Sequence, residues 1–167
     1  MTKLEKTTLI FILTFAVLCF IARSCGAEDL TPLSVAQDNI GLGEIGANNK
    51  GIYVRQYLNG QENLPWCAGF ISYCLKQAGF DIPYYLQAKS FLKVGKRVNT
   101  PKAGDLIIFS RKGGGHIGII EQVKDNKIIT IEGNLGIFPA KVKRVFYKGK
   151  PKNLLAYVRL DIYYGRN

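Results

Sequence analysis

The residue best suited to chemistry is a cysteine at the predicted start of a helix. Cys67 follows Pro65-Trp66, and Pro65 suits the first turn of a helix. A helix start carries a partial positive charge and unpaired N–H groups, which favour a thiolate and can hold an oxyanion. Because the thiolate is the form that attacks a carbonyl carbon, the position predicts a half-covered nucleophile. The alternative is a small core residue, since unpaired cysteines are among the most buried types.

The base that such a thiol needs can only be His116, the one histidine of the chain. It follows Gly113-Gly114-Gly115 and begins a predicted strand, which places the ring near the end of a sheet. A lone histidine is more often structural than catalytic, so this assignment depends on the thiol chemistry.

An orienting partner for His116 is expected on the next strand. We predict a three-residue turn, Asp125-Asn126-Lys127, which pairs Lys124 with Ile128. In that register Ile120 faces Glu132 and Gly118 faces Asn134, so Asn134 becomes the diagonal neighbour of His116 and Gly118 leaves space between them. A two-residue turn would move Glu132 and Asn134 to the opposite face. The alternative for both is ordinary turn and edge chemistry.

Helical patterns occupy the first half of the chain. Tyr53, Tyr57 and neighbours predict a short helix that ends at Asn59-Gly60, and a stronger stripe from Phe70 to Ala78 predicts a second helix that ends at Gly79. A weaker third helix is predicted over residues 85–92.

After Pro101 the pattern changes to short strands. The five predicted strands cover residues 105–110, 117–123, 128–132, 142–147 and 154–160. Helices followed by strands indicate an α+β fold with an antiparallel sheet of about five to six strands. With 167 residues and no internal repeat, the chain predicts one domain, over residues 44–167.

The first 27 residues have the pattern of an export signal. Lys3 and Lys6 precede an uncharged apolar run from Thr7 to Ala22, shorter than the ~20 residues of a spanning helix, and small residues follow up to Ala27. We therefore predict a cleaved signal at 1–27, a flexible lead-in at 28–43, and a secreted or periplasmic protein without stable membrane insertion. An uncleaved anchor and a lipoprotein acylated at Cys25 are the alternatives.

Cysteine spacing and charge limit the other classes of function. Cys67 and Cys74 lie two helical turns apart, ~10.5 Å, which is too far for a disulfide. Cys67, Cys74, His116 and Glu132 match no structural zinc pattern, so neither a metal nor another cofactor is predicted. The formal charge of +11 favours an anionic partner. Nucleic acid would explain the charge but neither the signal nor the thiol, so it is not expected.

Four blocks, in this order, resemble the CHAP amidohydrolase/peptidase family, a branch of the papain-like NlpC-type cell-wall hydrolases. The resemblance covers roughly residues 44–162, and the blocks are Pro65-Trp66-Cys67-Ala68-Gly69-Phe70-Ile71-Ser72, Pro101-Lys102-Ala103-Gly104-Asp105-Leu106-Ile107-Ile108-Phe109, Gly115-His116-Ile117-Gly118-Ile119 and Ile131-Glu132-Gly133-Asn134.

The resemblance implies a papain-like fold and cleavage of peptidoglycan amide bonds, either as an N-acetylmuramoyl-L-alanine amidase or as a stem or cross-bridge endopeptidase. It implies Cys67 as the nucleophile, His116 as the base, and Glu132, Asn134 or both as the orienting residue. The candidates for the oxyanion hole or for substrate binding are Gln61, Asn63, Trp66 and the Cys67 backbone N–H.

The expected partner is peptidoglycan or another anionic wall polymer, bound by a monomer. The rival reading is a catalytically silent wall- or glycan-binding module on the same scaffold. Six basic residues near the C-terminus suit an anionic polymer, although an ordinary solvated strand face is the alternative for them: Lys141, Lys143, Arg144, Lys148, Lys150 and Lys152.

Overall fold

The computed structural model describes residues 30–111 and 113–160, and the predicted export signal lies outside them. Helices precede strands, as predicted. The helical elements are α1 (Pro32–Asp38), α2 (Ile52–Tyr57), α3 (Cys67–Gln77) and a 3-10 helix (Ala88–Lys93). The strands are β1 (Lys96–Val98), β2 (Leu106–Arg111), β3 (Gly114–Lys124), β4 (Lys127–Leu135), β5 (Lys141–Lys148) and β6 (Leu154–Arg159). None of the helices in the described residues is both long and apolar enough to cross a membrane.

The predicted flexible lead-in is wrong where the structure describes it, because α1 occupies much of that segment. The Thr31 side chain accepts a hydrogen bond of 3.0 Å from the Ser34 N–H, and Pro32 occupies the first helical position. Val35 and Ala36 are buried in the core. A capped helix that buries apolar side chains is part of the domain rather than a linker.

The helix α3 carries Cys67 at its first position. Its predicted apolar stripe is confirmed, since Phe70 and Leu75 are fully buried. The helix ends as predicted, because Gly79 has a φ of +79° and the Phe80 N–H bonds to the Leu75 carbonyl. Its start differs slightly from the prediction. Trp66 is the N-cap and makes no capping side-chain hydrogen bond, so Pro65 lies just before the helix.

The six strands form one antiparallel sheet in the order β1-β6-β2-β3-β4-β5, which confirms the predicted class. Five strands fall where the sequence predicts them. The exception is β1, whose three residues are too few and too polar for an alternating pattern, and which forms by pairing with β6. The predicted third helix forms only as the 3-10 helix.

The predicted register between β3 and β4 is wrong in two respects that offset each other. The turn has two residues, Asp125 and Asn126, both with positive φ (50° and 57°), so that Lys124 pairs with Lys127. A bulge at Glu121 then inserts one extra residue into β3. Because of this extra residue, Glu132 lies on the face of the sheet that was predicted for it. In the resulting register Gly118 pairs with Glu132 and not with Asn134.

The bulge is held by contacts that are distant in sequence. The Glu121 carboxylate accepts two hydrogen bonds from Arg144 on β5, at 2.7 and 2.9 Å, and one of 3.0 Å from Gln37 on α1. These partners anchor the extra residue on the surface of the sheet.

The two faces of the sheet bury separate apolar clusters. The helices pack on the face of Ile117, Ile119 and Ile131, and this cluster includes Cys67. The other face is lined by Ile107, Phe109, Ile120, Ile128 and Tyr157. His116 is the cross-strand partner of Phe109, and its side chain therefore projects from this second face.

The end of the β3–β4 ladder is where Cys67 and His116 meet. The β3–β4 ladder stops at Gly118 and Glu132, so these two strands no longer pair with each other beyond that point. A Cβ atom on Gly133 would lie 2.7 Å from the Trp66 ring, so only glycine lets the first turn of α3 pack so closely on β4.

Candidate active site

Cys67 lies at the N-terminus of α3 and borders a cleft. Its thiol lies close enough to the His116 ring to raise the pKa of that histidine, and the residue is 8% exposed, which is more buried than the half-covered position expected. The cleft measures about 500 Å³ and is also lined by Leu64, Leu86, Lys89 and Gly114. A substrate group in this cleft would lie against Cys67.

His116 is held between the thiol and a carboxylate. Its Nε2 lies 2.7 Å from the Glu132 Oε2, which leaves Nδ1 for the thiol. The residue is 1% exposed and its ring lies 6.0 Å from that of Phe109. Gly115, the residue before it, lets β3 approach its surroundings closely, since a Cβ there would lie 3.1 Å from the Phe109 carbonyl oxygen and 3.2 Å from the Ala88 side chain.

Glu132 is fully buried, and both of its carboxylate oxygens have hydrogen-bond partners. Its Oε1 accepts 2.6 Å from the Thr130 hydroxyl and 2.8 Å from the Tyr147 hydroxyl, while Oε2 faces His116. A Cβ on Gly118 would lie 2.5 Å from the Glu132 Cγ, so the space expected for Asn134 instead accommodates the glutamate. These contacts aim one carboxylate oxygen at the imidazole.

The electrostatics of this pair favour its charged form. Burial acts to lower the pKa of His116, but the hydrogen bonds and charges of Cys67 and Glu132 outweigh it and raise that pKa. Burial acts in the opposite direction on Glu132, yet its hydrogen bonds to His116, Thr130 and Tyr147 and the His116 charge lower its pKa. An imidazolium–carboxylate pair is therefore stabilised in the interior.

Asn134 lies apart from this network. It is half-buried, with a left-handed φ of 59°, at the point where β4 shifts register against β5. No hydrogen bond joins it to His116 in the described part of the chain. The structure brings Cys67, His116 and Glu132 together and leaves Asn134 beyond them.

The three side chains predicted as candidates for the oxyanion hole differ in their burial and hydrogen bonding. Trp66 is fully buried and its Nε1 donates to the Glu44 Oε1 at 3.3 Å, so its indole N–H is already used. Gln61 and Asn63 are exposed in the loop before α3. Asn63 has a left-handed φ of 64°, and its backbone N–H bonds to Asn49.

The free backbone N–H groups at the start of α3 remain as donors. Those of Cys67, Ala68 and Gly69 donate to no acceptor elsewhere in the described residues. The first hydrogen bond of the helix runs from the Phe70 N–H to the Trp66 carbonyl at 2.8 Å.

Cys74, on the same helix, differs from Cys67 in the environment of its thiol. It is fully buried, and burial raises its pKa far above the ordinary value. Both cysteines are free, as their spacing predicts. In the described ranges, no three His, Cys, Asp or Glu side chains are arranged to hold a metal ion.

Three residues that support the site were not predicted from the sequence: Thr130, Tyr147 and Glu44. Thr130 has a local signal, since it lies two residues before Glu132 and therefore shares its face. Tyr147 reaches Glu132 from β5, so only the β4–β5 register reveals it. Glu44 is buried and accepts from the backbone N–H groups of Asn49 and Ala140 as well as from Trp66, which ties distant loops to the start of α3.

A known structure shares this fold. The peptidoglycan hydrolase RipB from Mycobacterium tuberculosis aligns with a TM-score of 0.51 and 16% identity, over 84% of this chain and 69% of that one. This likeness confirms the predicted papain-like fold. The P60 domain of an antigen from M. avium subspecies paratuberculosis aligns at 0.48 and 14%, over 77% of this chain and 90% of that one. An NLP/P60 family protein similar to a lipoprotein, from Staphylococcus aureus, aligns at 0.46 and 15%, over 78% and 41%.

Sequence comparisons point to one family. No curated protein matches the chain. The CHAP domain model matches residues 59–134, which include Cys67, His116, Glu132 and Asn134. This match confirms the resemblance to the CHAP family that the sequence blocks predict.

Proposed function

We propose that this protein is a cysteine hydrolase that cleaves amide bonds of peptidoglycan, as an N-acetylmuramoyl-L-alanine amidase or as a stem or cross-bridge endopeptidase. The proposal depends on the proximity of Cys67 to His116, which Glu132 holds in place within the segment that matches the CHAP model. RipB, which has the same fold, is a peptidoglycan hydrolase, and this supports the choice of substrate.

The first step is activation of the thiol. His116 takes the Cys67 proton on Nδ1 while Nε2–H donates to Glu132. The raised pKa of His116 favours the imidazolium that results. The hydrogen bonds of Thr130 and Tyr147 hold Glu132, and Glu132 holds the imidazole ring in one orientation. The ring is therefore already oriented for proton transfer.

Acyl transfer follows in the cleft beside Cys67. The thiolate sulfur forms a bond to the amide carbonyl carbon, and the oxygen takes the negative charge next to the free N–H groups of the first turn of α3. The tetrahedral intermediate expels the amine, which receives the proton from His116, and a thioester remains on Cys67.

Hydrolysis then restores the enzyme. His116, now neutral, accepts a proton from a water molecule whose oxygen attacks the thioester carbon. The carbon–sulfur bond breaks, and the thiolate is regenerated beside the imidazolium. The product leaves as a carboxylic acid, which loses its proton to the solvent. The cycle consumes one water and needs no metal ligand or redox partner from the chain.

The site of action follows from the sequence. With the signal predicted at residues 1–27, the enzyme would meet peptidoglycan after export, in the periplasm or outside the cell. The cationic domain would favour contact with an anionic wall.

The direct test is digestion of purified sacculi followed by mass spectrometry of the released fragments. An amidase liberates the amino terminus of L-alanine and a free lactyl carboxylate, whereas an endopeptidase leaves the lactyl amide intact and cuts between amino acids. Cys67→Ala and His116→Ala should release nothing, while Cys74→Ala is the matched control. Sacculi that bind the wild-type protein but release no fragment would instead favour the silent binding module.

A further inference from the structure

A second cleft lies beside the candidate active site. It measures about 510 Å³ and includes Ser110 and Arg111 in its lining. Across the β2–β3 ladder these residues pair with Gly115 and Gly114, which line the cleft of Cys67. Paired residues in such a ladder lie about 5 Å apart, so the two clefts are neighbours on either side of one hairpin.

The second cleft is cationic. Arg111, Lys148, Lys150 and Lys152 all line it and are all exposed, and no acidic residue is among its lining residues. Arg144 on the same strand β5 differs, because Glu121 already neutralises it. Four cations around one concavity repel one another unless an anionic group lies between them.

The floor of this cleft is aromatic and touches the candidate catalytic residues. Phe146 is 71% exposed there, and Phe109 and Tyr147 lie deeper, with ring centroids 5.5 Å apart. The Tyr147 hydroxyl donates to Glu132. The exposed ring offers an apolar surface to the carbon units that separate the charged groups of a polyanion.

We propose that this cleft binds a linear polyanion of repeating phosphodiesters joined by short polyols. Each phosphodiester keeps its charge at any pH at which the protein is folded, and Arg111 can bind two of its oxygens at once. A flexible chain can enter the concavity, whereas a flat bilayer would contact only the exposed side chains at its rim. The proposal goes beyond the proposed function, because binding requires neither Cys67 nor hydrolysis.

The test uses fluorescently labelled poly(glycerol phosphate) and the full chain carrying Cys67→Ala, with binding followed by anisotropy at low salt. The triple variant Lys148→Gln, Lys150→Gln, Lys152→Gln should bind about tenfold more weakly, because three charge-assisted contacts are lost. The control variant Lys50→Gln, Lys93→Gln, Lys96→Gln removes the same charge from exposed positions outside the cleft. It should bind within about twofold of the parent.

Four results would overturn the proposal: no binding at low salt, equal weakening in both triple variants, binding of polyglutamate as tight as that of the phosphodiester chain, or tighter binding of an oligothymidylate or of phosphatidylglycerol vesicles. Failure here is distinct from failure of the proposed function. With wild-type Cys67 restored, the triple variant should still cut muropeptides that carry no anionic polymer at an unchanged rate.

Discussion

The two ends of α3 place the same residue type in opposite environments. Cys67 and Cys74 are both free and both buried, and they lie two turns apart on one helix. Cys67 lies beside His116 at the free N-terminus of the helix, whereas Cys74 packs among apolar side chains and has a strongly raised pKa. Burial alone therefore does not decide the chemistry of a thiol, and the partner within reach does.

Substitution of the two cysteines should give the largest difference, and that difference should be in activity. Cys67→Ala should reduce hydrolysis of sacculi at least about 1,000-fold, because the nucleophile is lost, while the free energy of unfolding changes little. Cys74→Ala should keep near wild-type turbidity loss but lower the free energy of unfolding by about 1–2 kcal/mol through a small cavity. Loss of activity in Cys74→Ala with an intact fold would contradict the assignment.

Removal of the charge behind the imidazole should have the next largest effect. Glu132→Gln keeps the shape but not the charge, so we expect activity to fall on the order of 100-fold. Because Glu132 raises the pKa of His116, the variant should lose the imidazolium at a lower pH. The alkaline limb of the kcat/KM profile on a soluble muropeptide should move to lower pH. An unmoved limb would mean that Glu132 does not act on His116.

The same pair sets a pH window for stability. The pKa of His116 is raised in the folded protein, so its stabilising contribution is lost as the pH rises through that pKa. The pKa of Glu132 is lowered, so its contribution is lost as the pH falls through the lowered value. The wild-type protein should therefore exceed Glu132→Gln in free energy of unfolding most clearly between these two limits.

A smaller effect on activity is expected at Tyr147, which contacts Glu132. Tyr147→Phe removes one of the two hydrogen bonds to Oε1 of Glu132 and leaves that of Thr130, so activity should fall about three- to tenfold. The pKa of Glu132 should rise, which moves the acidic limb of the pH profile upwards. Tyr157→Phe is the control, because that hydroxyl makes no hydrogen bond with Glu132. A profile identical to wild type would make Tyr147 a packing residue only.

The smallest effect on activity is expected from the residue that holds the start of α3. Glu44→Gln places an amide NH₂ among the N–H donors of Trp66, Asn49 and Ala140, so the free energy of unfolding should fall by about 1–3 kcal/mol. Urea unfolding measures the loss, and activity per folded molecule should stay within about twofold. Unchanged stability would show that these contacts contribute little.

The elements that local signals specify were predictable, and so was the proximity of Cys67 to His116. The stripe of α3 and its stop at Gly79 depend on residues within a few positions of one another. The β3–β4 register was not predictable in this way, because the Glu121 bulge is held by Arg144 and Gln37, which are remote in sequence. Glu132 was a candidate from the family motif, but its place beside His116 required that bulge.

The most direct test of the account is site-resolved alkylation of the native full chain. Iodoacetamide is added to the folded protein at pH 7, and peptide mapping follows the carbamidomethyl label on each cysteine while residual hydrolysis of sacculi is measured in parallel. The account predicts that Cys67 is labelled at least about 100-fold faster than Cys74 and that activity falls in step with Cys67 labelling. Full activity after complete labelling of Cys67, or faster labelling of Cys74, would contradict it.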